Sequence, residues 1–101
     1  MYRASTPTHK FRMPISRTAI SDFLLTYADG DTGEVLLEFR MADAVFETEN
    51  TFSVTLTQEQ TNAFKEGIAV VQLRVKSTNG KVLPSNRKYI DVRTVLNDEV
   101  I

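Results

Sequence analysis

The feature that most limits what this chain can fold into is a strict alternation of apolar and polar side chains. From Thr51 to Leu56, Phe52, Val54 and Leu56 alternate with Thr51, Ser53 and Thr55. Successive side chains of a strand point to opposite faces, so a period of two builds strands with one oily face. The same rhythm sets His9, Phe11 and Met13 against Thr8, Lys10 and Arg12, with Pro14 closing the run. It returns in Phe23, Leu25 and Tyr27 of "ISDFLLTYA", and in Val35, Leu37 and Phe39 of "GEVLLEFR". "DAVFE" is brief and bracketed by acids, which suits an edge strand. "IAVVQLRVKS" is apolar on both faces over its first half, as a central covered strand would be. "KYIDVRTV" supplies a seventh.

One segment departs from this period. In "LTQEQTNAFKEG", Thr57 and Gln60 have the spacing of a capping box, and Lys65 and Gly67 read as the end of a short helix. Phe64 is placed to plug the core below it. Asn79-Gly80 in "TNGK" predicts a two-residue type I′ hairpin turn, which needs positive φ at both residues. That register sets Ala69 opposite Ile90, but also Val71 opposite Lys88 and Leu73 opposite Asn86. Polar residues would then share the core side. Since Pro84 cannot donate to a ladder, a bulge near Pro84-Ser85 is expected to re-aim the rest of the strand.

The chain of 101 residues is read as one domain, with 1–7 and 96–101 as terminal tails. These patterns predict an all-β fold: a seven-stranded immunoglobulin-like or fibronectin-like β-sandwich with a short helical turn before the sixth strand. A small barrel is the alternative. The expected core is Phe11, Phe23, Leu25, Val35, Leu37, Phe52, Val54, Leu56, Phe64, Val71, Leu73, Val75 and Ile90.

Composition excludes several chemistries. No cysteine is present, so disulfides, thiolate metal sites and thiol nucleophiles are absent. No apolar run approaches the ~18 residues of a membrane span, and the start "MYRASTPTHKF" has no signal-like apolar core. No phosphate loop, nucleophile elbow or His-Glu-x-x-His motif occurs. The chain is therefore expected to be no enzyme and to need no cofactor. A net charge of −1 and aromatics that alternate away from the basic residues give no reason to expect nucleic acid as a partner.

The stretch "YADGDTGEVLL" looks most like a site. An EF-hand loop from Asp29 would need Gly and Glu where Glu34 and Arg40 stand. A hairpin tip is the reading favoured, with a looser calcium cage of Asp29, Asp31 and Glu34 as its alternative. The single histidine, His9, has no ligand-spaced partner and is expected to be a satisfied, partly buried residue.

Charge is unevenly spread. Arg3, Lys10, Arg12 and Arg17 precede Ser21 with no acid among them, whereas Asp22–Asn50 holds eight acids against Arg40 alone. Either neighbouring strands compensate one another, or copies associate head to tail. The tail "VLNDEVI" ends on an apolar pair after two acids. Arg3, Lys10, Arg12, Glu99, Val100 and Ile101 are accordingly the candidate protein-interaction residues, with a homo-oligomer expected.

"TPTHKF", "LTQEQTNAF", "VQLRV" and "LNDEVI" together resemble small proteins encoded among the virion genes of tailed bacteriophages and prophages. More distantly, they are similar to the N-terminal immunoglobulin-like domain of phage upper baseplate proteins. The resemblance implies a virion structural or assembly protein, made in the host cytoplasm, that contacts itself or other virion proteins. A binding module for a carbohydrate or another surface ligand is the alternative expectation.

Overall fold

The computed structural model describes residues 1–101. Eight strands form two antiparallel sheets: β1 (Thr8–Arg12), β2 (Ile20–Asp29), β3 (Val35–Arg40), β4 (Val45–Thr48), β5 (Thr51–Thr55), β6 (Gly67–Ser77), β7 (Val82–Pro84) and β8 (Lys88–Val92). One sheet has the order β1-β5-β4. The other runs β3-β2-β6, with β7 and β8 both pairing the far side of β6. The molecule is long and thin, 47 × 27 × 15 Å.

Apolar faces of the two sheets meet as the alternation requires. Phe23 of β2 stacks on Phe52 of β5 at 4.6 Å between ring centroids, and Phe46 and Phe11 flank the pair. Phe23, Leu25, Phe52, Val54, Leu56, Phe64, Val71, Leu73 and Val75 are buried, as expected. Phe11, Leu37 and Ile90 are only partly buried against them. Met13, Ile20, Tyr27, Phe39, Ala69 and Val92 complete the core. Val35 is the exception among the expected core residues, being half exposed. A register shift between Tyr27 and Ala28 pairs Val35 with Ala28 and turns it to the outer face.

The helix α1 (Gln58–Asn62) begins as its capping box dictates. Thr57 Oγ1 accepts from the Gln60 amide at 3.1 Å, and Gln60 Oε1 accepts from the Thr57 amide at 2.9 Å. It stops at Ala63, earlier than Lys65 and Gly67 suggest, and Gly67 opens β6 instead.

The strand beyond the expected seven is β7, and it explains the hairpin. Only Gly80 has positive φ (88°), not Asn79, so the turn is no type I′. Ser77 and Lys81 close a three-residue loop through Ser77 N–H to Lys81 O at 2.8 Å. That loop pairs Lys76 with Val82 and Arg74 with Pro84. One extra residue between Pro84 and Lys88 then shifts the register, so Val71 faces Lys88 and Ala69 faces Ile90. The expected break is present. It does not turn Lys88 away, however, because the longer loop has already offset β7 by one and the bulge cancels that offset. Ser85 fills the break: its Oγ accepts from Leu73 N–H at 3.0 Å, and its N–H donates to Leu73 O at 2.7 Å.

The N-terminal end is tied down. Met1, Tyr2 and Arg3 run beside the end of β8, with Arg93 N–H bonded to Met1 O and Arg3 N–H to Arg93 O, each 2.9 Å. Ser5 is clasped by the fully buried Thr61 hydroxyl.

Candidate interaction site

Where the edge of one sheet faces the edge of the other, a sandwich has a flank. On the β3/β4 flank the chain itself crosses between sheets through a 3₁₀ turn, Met41–Asp43, with Met41 and Ala44 against the core. On the β1/β8 flank the chain crosses only at one end, where residues 4–7 lead from Met1–Arg3 beside β8 to the start of β1. β1 pairs only β5, and β8 pairs only β6, so each has a free backbone edge. The first three residues cover that edge of β8 at Asp91–Arg93 but leave Lys88–Ile90 uncovered.

Between these edges lies a cleft of about 420 Å³, floored by Val71 and walled by His9, Phe11 and Ile90. A narrower extension of about 100 Å³ continues beside Leu73, Ser85 and Asn86. Lys88, on the core-facing side of β8, holds its ammonium 5.9 Å from the centre of the Phe11 ring. No carboxylate pairs with it, nor with Arg12 at the end of β1. An inward-pointing charge on a free edge guards against strand addition. Here it also gives a partly apolar cleft an unpaired positive charge, beside Lys10, whose charge Glu47 offsets.

Of the six candidate interaction residues, Arg3 meets the tail that carries Glu99, Val100 and Ile101, while Lys10 and Arg12 lie on β1. Arg3 is folded back within the chain, bonding Asn62 O at 3.1 Å and Asp98 at 3.2 Å. Lys10 reaches across β5 to Glu47 at 3.4 Å, and Arg40 bonds Asp22 at 3.0 Å. One cross-strand pair, Lys10–Glu47, thus joins the basic head to the acidic stretch, while Arg40–Asp22 lies within that stretch. Arg12 stands free on β1. Glu99 is exposed, and the backbone of Ile101 is held by Gln58 through bonds of 2.8 and 3.0 Å. Lys88 and Ile90 are absent from that set. The signal for them was the register that placed Lys88 inward.

The acidic loop is a turn. Asp29 Oδ1 accepts from the Asp31 and Thr32 amides at 2.8 and 3.0 Å, while Lys65 lies 3.4 Å from Oδ2. The Thr32 and Asp31 amides, with Lys65 adding to them, hold the Asp29 carboxyl below its ordinary range against the opposing effect of burial. Gly30 is required beside it, since a Cβ there would drive into the Ile68 carbonyl oxygen. Asp31 and Glu34 point to solvent, and no three His, Cys, Asp or Glu side chains converge anywhere in the chain. His9 is satisfied, its Nδ1 lying 2.6 Å from the hydroxyl of the buried Tyr27. Burial lowers the His9 pKa, with a smaller push from the Met1 ammonium. Burial alone raises that of Tyr27.

No family model matches this chain, and no curated protein matches it. Among solved structures, it is similar to CopC from Methylosinus trichosporium OB3b, with 18% identity over 95% of this chain and 85% of that one, at a TM-score of 0.57. This likeness establishes the shared β-sandwich. It also corrects the virion expectation. CopC is a copper-binding periplasmic protein, and the comparisons contain nothing that points to phage proteins. The virion role and the virion location are therefore withdrawn.

Proposed function

We propose that this chain is a non-catalytic interaction module that takes an extended peptide segment of a protein partner into the cleft between β1 and β8. The observation that carries the reading is Lys88 over Phe11, an unpaired and exposed cation at the mouth of a partly apolar cleft between two strand edges. Free edges supply main-chain hydrogen bonds, and the pockets between them read alternate side chains. An uncharged strand would bury the ammonium without a partner, which is costly. A strand with a carboxylate between two apolar residues would instead neutralise it. The lysine therefore selects as well as guards.

Copper handling is a property of CopC and does not fit this donor set. The one histidine is engaged with Tyr27, there is no cysteine, and Met13 is buried in the core. A carbohydrate platform has little support either, since there is no tryptophan, Tyr27 is buried, and the only exposed tyrosines are Tyr2 and Tyr89. The test is fluorescence anisotropy with labelled peptides of apolar-acid-apolar alternation against matched peptides carrying lysine for the acid. The acidic set is expected to bind, with amide shifts at His9, Phe11 and Ile90 in NMR spectra. Equal binding of both sets, or shifts confined to the outer sheet face, would overturn the reading.

A further inference from the structure

We infer that the segment taken by this cleft is Leu96–Ile101 of a second copy of the same chain. This rests on the proposed peptide-binding role and names its partner. Within the segment, Leu96, Asp98 and Val100 alternate with Asn97, Glu99 and Ile101. In an extended backbone the first three share one face, an acid between two apolar residues. The cleft offers the counterpart: Lys88 between the apolar surface of Phe11 and Ile90. Asp98 would neutralise Lys88 while Leu96 and Val100 cover that surface.

The segment is poorly housed where it lies. Leu96 and Ile101 are fully exposed, and Val100 is 44% exposed. It is held by side-chain bonds alone: Gln58 to Ile101, Asn62 Nδ2 to Asp98 O at 3.0 Å, and Arg3 to the half-exposed Asp98 carboxylate at 3.2 Å, a pair that Asp98 exchanges for Lys88 in the cleft. Beside it, Arg3 Nε and Asn62 Oδ1 are buried with no hydrogen-bond partner. Burying a polar group without a partner is unfavourable, so this seat competes weakly for the segment. Nor can the segment simply double back on its own β8, because Met1–Arg3 already occupy that edge at Asp91–Arg93. A neighbouring copy is the cleft that remains. Exchange between two copies closes a symmetric dimer, and serial exchange makes a chain of them.

Sedimentation equilibrium on the intact chain, from micromolar to millimolar concentration, tests this. The wild type is expected to associate as concentration rises. Lys88→Glu and Asp98→Lys should each weaken association by about tenfold or more. Mixing the two variants should restore it. The glutamate introduced in one then meets the lysine introduced in the other, and the unaltered Lys88 and Asp98 meet as well. The double variant should associate like the wild type. Circular dichroism of each variant checks that it is folded. A protein that stays monomeric throughout, or an association indifferent to these exchanges, overturns the inference. If acidic peptides still bind the cleft of such a monomer, the interaction-module reading stands without it. If neither occurs, both fall.

Discussion

The two flanks of this sandwich are made from the same alternating strands, yet one is sealed and the other is not. On the β3/β4 flank, Met41–Asp43 carries the chain from one sheet to the other, and Arg17 lies 4.5 Å over Phe46. On the β1/β8 flank the nearest cation lies over a ring, and the chain crosses only at one end, through residues 4–7. Both flanks therefore place a cation against a phenylalanine. One does so at a finished surface, the other within a gap. Closure is thus a matter of connectivity, not of how oily the strands are.

The difference can be broken most severely from the sealed side. Phe23→Ala removes the ring that stacks on Phe52 and packs against Phe46, and is expected to cost about 3–5 kcal/mol in chemical denaturation. At the end of the open flank, Thr61→Val leaves the Ser5 amide and carbonyl without their partner. A loss of about 2–3 kcal/mol is expected, with faster hydrogen exchange across residues 1–5.

Acid should distinguish the flanks further. The His9 pKa lies below its ordinary 6.5 in the fold, so the unfolded chain binds a proton that the folded chain refuses. Its contribution is complete above about pH 6.5 and is lost as pH falls through that value towards the folded pKa. Asp29 acts lower, its contribution being complete above its ordinary 3.8 and lost on further acidification. Denaturation at neutral, mildly acidic and strongly acidic pH should show both losses in the wild type and only the lower one in His9→Gln. The smallest effect on stability is expected at the open flank itself. Lys88→Met should change unfolding by less than about 1 kcal/mol, yet raise light scattering on storage by removing the guard from an apolar edge.

Much of the fold was legible in the chain because alternation is a local property. Phe52, Val54 and Leu56 announce their strand, and Thr57 with Gln60 announces the helix that follows. Val35 shows the limit of such reasoning. Its own run alternates without fault, and only a register shift in its pairing with β2 turns it outward. Tyr27 needs His9, from a strand in the other sheet, before its hydroxyl can be buried. The candidate site was the least legible part. Phe11 and Lys88 stand at opposite ends of the chain and meet only when the sheets stack. The pairing of Val71 with Lys88 did follow from sequence, but as a fault that a bulge should repair. The bulge exists and the lysine stays inside.

A body about three times as long as it is thin experiences more drag in water than a sphere of its mass. On a sizing column a lone copy would elute somewhat early and read as heavier than it is. The state of this protein is therefore better weighed than timed, by its scattering mass or its native mass spectrum.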